Sequence, residues 1–195
     1  MMQLLLDEIA DVRTGLTLRG ADAATRTVAE GPHYLRISDL SDSGKLNITE
    51  TQPIDPALDP EHRHRVRVAD ILMANRGTRM TAVLVTEDID AIASSQLFII
   101  RLKSHQISPA YLHAFLNLHM IQEFLRSHAR GTYVQTLSIG ILRSLSVPLI
   151  PLEDQHKIAT LNELAHEEAC LTKELSEKRL QFVNLSLSRL LSKSI

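Results

Sequence analysis

The 195-residue chain carries a single cysteine, Cys170, so no internal disulfide can form, and a lone thiol fits a reducing cytoplasm. It has no apolar run long enough to cross a membrane. Its start, MMQLLLDEIADV, has three leucines but no basic lead and no small-residue cleavage site, and reads as a first helix or strand rather than a signal peptide. Catalytic signatures are missing as well. There is no GxxxxGK[ST] phosphate cradle, no glycine-rich cofactor loop, no HExxH frame and no Asn/Asp-Pro-Pro-aromatic segment of the amino-methyltransferase kind. His62 and His64 are two residues apart and do not share a helical face. His113 and His119 fall on a mostly apolar helical stretch, and no cysteine cluster accompanies them, which argues against zinc. Ser138 directly precedes a helical segment and reads as its N-cap rather than as a nucleophile. The sequence therefore predicts a non-catalytic chain with no metal site and no cofactor of its own.

What is present is an uneven charge. The net charge is −2, but residues 1–100 hold ten Lys/Arg against fifteen Asp/Glu, whereas residues 101–150 hold five against one. Arginine outnumbers lysine fifteen to six, and thirteen of the arginines precede residue 150. Arginine presents a planar fork of donors suited to phosphates and to guanine edges, although a GC-rich genome produces the same bias.

The apolar pattern predicts short strands followed by a helix. Tyr34–Leu40, with Leu35 and Ile37 on one face and Arg36 and Ser38 on the other, reads as a half-buried strand, and a cross-strand partner is expected for Arg36. Residues 41–64, with three prolines, read as loop. Val66–Ala74, Thr81–Thr86 and Gln96–Lys103 read as strands, with a turn at Asn75–Arg79. Ser108-Pro109 opens a helix that runs to about His128, with Tyr111, Leu112, Phe115, Leu116, Met120, Phe124 and Leu125 as its apolar face and Gly131 as its stop. A short helix over Ser138–Ser144 and an apolar strand over Leu145–Ile150 follow. The expected fold is an α+β (mixed α/β) domain over residues 1–150.

Residues 151–195 are of another kind. Pro148 and Pro151 cannot donate to a ladder, so the last strand is an edge or ends there. Pro151 can begin a helix, Glu153 and Asp154 fall in its first turn, and no Gly or Pro follows. Leu161, Leu164, Leu171, Leu175, Phe182 and Leu185 are spaced 3, 7, 4, 7 and 3, a coiled-coil seam over about four heptads. A helix of this length spans roughly 60 Å, and its seam calls for a partner helix or, alternatively, for folding back on its own domain.

With these elements in place, the chain resembles the DNA-specificity subunits of type I restriction–modification systems along nearly its whole length. The resemblance rests on Leu5–Gly15, on Tyr34–Leu40, on Ala69-Asp-Ile-Leu-Met-Ala-Asn-Arg-Gly-Thr78 and above all on Gly131-Thr132 through Val147-Pro-Leu-Ile-Pro-Leu-Glu-Asp-Gln-His-Lys-Ile158. Family members carry two such units. This chain shows one and no internal repeat, so it looks like a half-size subunit or a piece of a longer one. The resemblance implies recognition domains held apart by paired antiparallel helices, each reading half of a bipartite duplex DNA site. It also implies partners: methyltransferase (modification) subunits that carry S-adenosylmethionine and flip out an adenine, restriction subunits where present, and a second copy or another half-subunit.

The family supplies a region for DNA contact, and chemistry supplies the residues. Positioning on phosphates and reading of base edges require Arg, Lys, Ser, Thr, Asn or Gln on approachable loops. The candidates are Arg13, Thr14 and Arg19; Arg76 and Arg79 about Gly77; and Arg130, Thr132, Tyr133 and Gln135. Each arginine has an alternative as a solvated or salt-bridged group, and His62–Arg65 lies close enough to Asp55, Asp59 and Glu61 for local pairing. Two other functional classes stay open at this point. One is a coiled-coil interaction protein without a DNA role, and the other is the recognition fragment of a single-chain restriction–methyltransferase.

Overall fold

The computed structural model describes residues 2–18, 28–41, 44, 46–49, 51–77, 80–131 and 133–192. The chain divides into two compact units, Met1–Ala159 and Thr160–Ile195. The first is mixed α/β. Its centre is an antiparallel four-stranded sheet in the order β2 (Ala10–Thr14), β7 (Leu97–Leu102), β4 (Ile71–Ala74) and β5 (Ala82–Leu84). Two small ladders flank it. In one, β1 (Gln3–Leu5) runs antiparallel to β8 (Ser146–Pro148); in the other, β3 (His33–Leu35) runs parallel to β6 (Ala91–Ala93). The helices are α1 (Leu6–Ile9), α2 (Pro109–Asn117), α3 (His119–His128), α4 (Ile139–Arg143) and the 41-residue α5 (Leu152–Ser192).

Successive strand residues point to opposite faces, and both faces of the central sheet are covered. Val12, Ile71, Met73, Phe98 and Ile100 pack with Leu112, Phe115, Leu116, Leu125 and Leu142 of the helices. On the other side Leu72, Leu97 and Ile99 pack with Leu35, Val66, Val85 and Ala93. Burial on both faces explains why β4 and the Leu97–Ile100 part of β7 read as unbroken apolar runs.

Several elements are shorter than the sequence pattern predicts, for reasons that lie in side chains. The strand expected from Val66 begins only at Ile71. Before it, Ala69 takes a positive φ of 70°. The Asp70 N–H meets the Arg67 carbonyl at 3.1 Å, and the Asp70 carboxylate accepts the Arg67 N–H at 2.8 Å. The strand expected over Tyr34–Leu40 ends at Leu35, and a 3-10 turn, Ile37–Asp39, replaces its second half. Arg36 caps that turn through its backbone and sits over the Tyr34 ring at 5.8 Å, in place of the expected cross-strand pair. Strand β6 was not anticipated from the sequence.

The single helix expected from Ser108 to His128 is two helices. Ser108 does cap the first, accepting the Tyr111 N–H at 3.0 Å. The chain then breaks at Leu118, which is extended (φ −56°, ψ 136°). The break is held by Asn117, whose side chain accepts the Ala82 N–H at 3.1 Å and donates to the Ala82 carbonyl at 2.9 Å. Asn117 thus does for edge strand β5 what a further strand would do. The break also resets the helix face. Ile121 and Leu125 are buried, while Met120 and Phe124, expected in the core, face solvent. Helix α3 stops at Ala129, so Gly131 lies beyond the stop and serves the following loop instead.

Pro148 lies in an edge ladder, and Ser146–Pro148 is all that forms of the strand expected over Leu145–Ile150. Gln155 then fixes the first turn of α5 within the first unit. Its fully buried amide accepts the Ser108 N–H at 2.8 Å and donates to the carbonyls of Gln106 at 2.8 Å and Ile150 at 2.9 Å.

Candidate nucleic-acid interface

Two of the loops singled out in the sequence are joined by backbone bonds. Asn75, at the end of β4, is buried and ties its loop down by donating its side-chain amide to the Ser95 carbonyl at 2.7 Å. The next residues meet the segment after α3. Arg76 is bridged to Thr136, and Thr136 is bridged in turn to Arg130. Thr136 and Arg130 exchange both N–H to carbonyl bonds, at 2.8 and 3.0 Å. The Gly77 N–H donates to the Gln135 carbonyl at 2.9 Å, and the Leu137 N–H donates to the Asn75 carbonyl at 2.8 Å. Directly opposed residues in such a ladder project to the same side. Arg76, Thr136 and Arg130 therefore stand side by side.

Two glycines make this geometry possible. Gly77 has a φ of +103°. Gly131 has a φ of +132°, and a Cβ there would lie 2.2 Å from the Val134 carbonyl oxygen. The loop closed by Arg130 and Thr136 presents Tyr133 wholly exposed, Val134 54% exposed and Gln135 exposed. Beside it, a groove of about 510 Å³ runs between the end of α3, Ser127–Arg130, and the segment Thr136–Ile141. Among the described residues no carboxylate pairs with Arg76, Arg126 or Arg130. The Arg76 Nε donates to the Asn75 side chain at 3.3 Å and the Arg126 Nε to the Gln122 carbonyl at 3.2 Å.

Three other arginines of the acidic first hundred residues, Arg13, Arg63 and Arg65, are each paired with an acid. Arg13 and Thr14 belong to strand β2 and not to a loop. Arg13 pairs with Asp11 and donates to the Arg63 carbonyl at 3.0 Å. Burial, and after it the nearby charge of Arg101, lower its pKa from the ordinary value. Arg63 pairs with Glu61, Arg65 with Asp90, and Arg101 makes a two-pronged bond to the buried Asp70 at 2.7 and 2.6 Å, which raises the Arg101 pKa. Asp59 is buried and accepts the N–H groups of Arg63 and His64 at 3.1 and 2.9 Å. Gly15 serves close packing, since a Cβ there would lie 2.3 Å from the carbonyl oxygens of Ala93 and Ser94. Arg19, Arg79 and Thr132 lie outside the described residues.

The α5 seam is open. Leu161, Leu164, Leu171, Leu175, Phe182 and Leu185 are each at least half exposed. Ion pairs Glu153–Lys157 at 2.7 Å and Glu174–Lys178 at 2.6 Å support the helix. A second apolar line went unread in the sequence. Leu180, Val183 and Leu187, spaced 3 and 4, are about half exposed or more. They lie two residues off the seam, roughly 200° around the helix, so from Leu180 onward α5 is apolar on two nearly opposite sides.

A backbone-locked loop pair that carries Arg76 and Arg130 and an exposed aromatic tip is thus followed by a long helix with an exposed apolar seam. The comparisons with known proteins supply the family. The family model described as type I restriction modification DNA specificity domain matches residues 5–163, and the chain belongs to that family, whose members are non-catalytic recognition subunits. It is 27% identical over 132 residues to the type I restriction enzyme EcoBI specificity subunit of Escherichia coli, a match that covers 67% of this chain and 28% of that protein. The fold is similar to the HsdS subunit from Thermoanaerobacter tengcongensis (TM-score 0.65, 17% identity, 89% of this chain and 39% of that one). It is also similar to the type I restriction–modification S subunit from M. genitalium (TM-score 0.56, 18% identity, 82% and 37%). The chain thus spans less than half the length of each of these relatives. Among the described residues no helix is long and apolar enough to cross a membrane.

Proposed function

We propose that this chain reads one half of a bipartite duplex DNA site and directs a DNA adenine methyltransferase, and a restriction subunit where one is present, to that site. The loops Asn75–Gly77 and Arg130–Gln135 form the reading surface, with Arg76 and Arg130 on phosphates or guanine edges and Gln135 at base edges. The residues 78–79 and 132 complete the same two loops in sequence. Arg13, tied to Asp11 and to the Arg63 carbonyl, has a structural role, while Thr14 ends β2 at the same end of the sheet as Asn75. The α5 helix pairs antiparallel with the α5 helix of a second unit of the same kind, either another copy or a different half-subunit. The line Leu180–Val183–Leu187 is the complementary surface for a modification subunit. S-adenosylmethionine belongs to that partner, and the chain works in the cytoplasm, where the DNA is.

One observation carries this reading. Within a family of DNA-specificity subunits, Arg76 and Arg130, which pair with no carboxylate among the described residues, flank one backbone-locked loop pair, whereas Arg13, Arg63 and Arg65 are each matched by an acid. The test is a pull-down of the tagged chain with the products of neighbouring genes, followed by methylome sequencing of the host with and without it. Recovery of a methyltransferase, together with loss of one bipartite modified motif on deletion, supports the reading. Pairing of two identical copies requires that motif to be two-fold symmetric. Absence of both a methyltransferase and a modified motif refutes the reading.

A further inference from the structure

We propose that Tyr133, backed by Val134, is a wedge that enters the stack of the duplex at one base step of the half-site. The proposal rests on the DNA-recognition reading and adds to it a mode of contact and a named residue. Tyr133 is fully exposed, and its apolar neighbour Val134 is more than half exposed. A fully exposed aromatic ring beside a half-exposed valine at the tip of a loop offers apolar surface that a partner can cover.

The base of this loop is fixed. Arg130 and Thr136 close it with two backbone bonds, Gly77 and Asn75 add two more from a separate segment, and Gly131 makes the tight turn in. The tip is therefore carried on a stiff mount. Arg76 and Arg130, in register on either side of Thr136, place guanidinium groups at that mount. An aromatic tip on a mount that carries two cations matches a duplex, where stacked bases lie within reach of charged backbones. Apolar wedges that part a step and aromatic rings that stack on bases are general solutions to this geometry. A wedge also fits a subunit that serves a base-flipping methyltransferase, because opening one step lowers the cost of extruding a nearby base.

The test uses the full chain with the methyltransferase encoded beside it. A duplex is selected by this complex from a randomised pool, and 2-aminopurine then replaces each adenine in turn. The adenine that becomes methylated is omitted, since its own extrusion gives a signal. The wild type is expected to raise the fluorescence severalfold at one position. Tyr133→Phe retains the rise, whereas Tyr133→Ala abolishes it and weakens specific binding roughly five- to a hundredfold, with non-specific binding unchanged. If Tyr133→Ala keeps both the rise and the affinity, the wedge is overturned while DNA recognition stands. If Tyr133→Ala instead loses the methyltransferase in a pull-down and leaves the fluorescence pattern intact, the tip is a protein contact and the wedge is again overturned. If no duplex is enriched over random DNA, the underlying DNA reading fails, and the wedge with it.

Discussion

Replacing Gln155 by leucine tests how the first turn of α5 is tied into the first unit. The side chain is fully buried, and each of its polar atoms is used. Its oxygen takes the Ser108 N–H, and its amide group serves the carbonyls of Gln106 and Ile150. Leucine fills a similar volume but leaves one donor and two acceptors unmet. Each lost bond is worth about 1 kcal/mol net, and the stranded groups add a desolvation penalty, so the loss is about 3–5 kcal/mol. For a unit of this size that corresponds to a fall in Tm of roughly 10 °C by calorimetry. His156→Ala, one residue on and exposed, is the control and should shift Tm by a degree or so at most. Gln155→Glu sharpens the test. Its carboxylate would face two carbonyl oxygens in a buried site, so its folded pKa must lie above the unfolded value of about 4.3. The unfolded state then gives up its proton first as pH rises, and the stability of this variant is lost on going up through the folded pKa and regained on acidification. A Gln155→Leu protein that melts within 2 °C of wild type, or a Glu variant whose deficit is the same at pH 5 and pH 8, would refute the reasoning.

Asp70→Ala removes the carboxylate partner of the half-buried Arg101 guanidinium and should cost about 3 kcal/mol, read from urea denaturation. Arg76→Ala and Arg130→Ala should each weaken DNA binding in filter-binding titrations, uniformly across sequences and with a salt slope lower by about one for a phosphate contact, or with relaxed specificity at one position for a guanine edge. Alone, the chain should bind duplex weakly and with strong salt dependence, and much more tightly with its methyltransferase; equal affinities would contradict shared binding. Leu164→Glu with Leu175→Glu should yield a monomer by sedimentation while the unfolding of the first unit is unchanged. Burial holds the Tyr34 and Tyr111 phenols above their ordinary pKa, so stability should fall as pH rises from about 10 through the folded values, followed by ultraviolet difference titration.

The parts that sequence made legible are those whose cause is local. The Ser108 cap, the Ser138 cap and the Glu153–Asp154 opening of α5 depend on residues within one turn, and all three stand where expected. The open seam of α5 follows from spacing alone. The break at Leu118 was not legible, because its cause is Asn117 reaching Ala82, thirty-five residues away. Likewise β6 is three residues, Ala91–Ala93, with no alternation to mark it, and it exists because β3 runs beside it. Gln155 was visible as a motif residue at a helix start, but its buried role depends on Gln106 and Ser108. The second apolar line at Leu180, Val183 and Leu187 could have been found by counting, since its 3–4 spacing is as regular as the seam's.

The same distinction decides how to read an acidic subunit as a DNA reader. Net charge averages over pairs that cancel. In the first hundred residues Asp11, Glu61 and Asp90 each hold an arginine, and Asp70 holds Arg101, so these pairs cancel within themselves. The segment around α3 contains one acid, Glu123, whose partner is His119, and it leaves Arg126 and Arg130 to the surface. Arg76 joins them only because the backbone brings its loop across to Thr136. The potential that a phosphate meets at that face is set by these uncancelled charges and not by the sum over the chain. Removing both members of a matched pair, as in Glu61→Ala with Arg63→Ala, should therefore leave DNA affinity nearly unaltered, while Arg130→Ala lowers it.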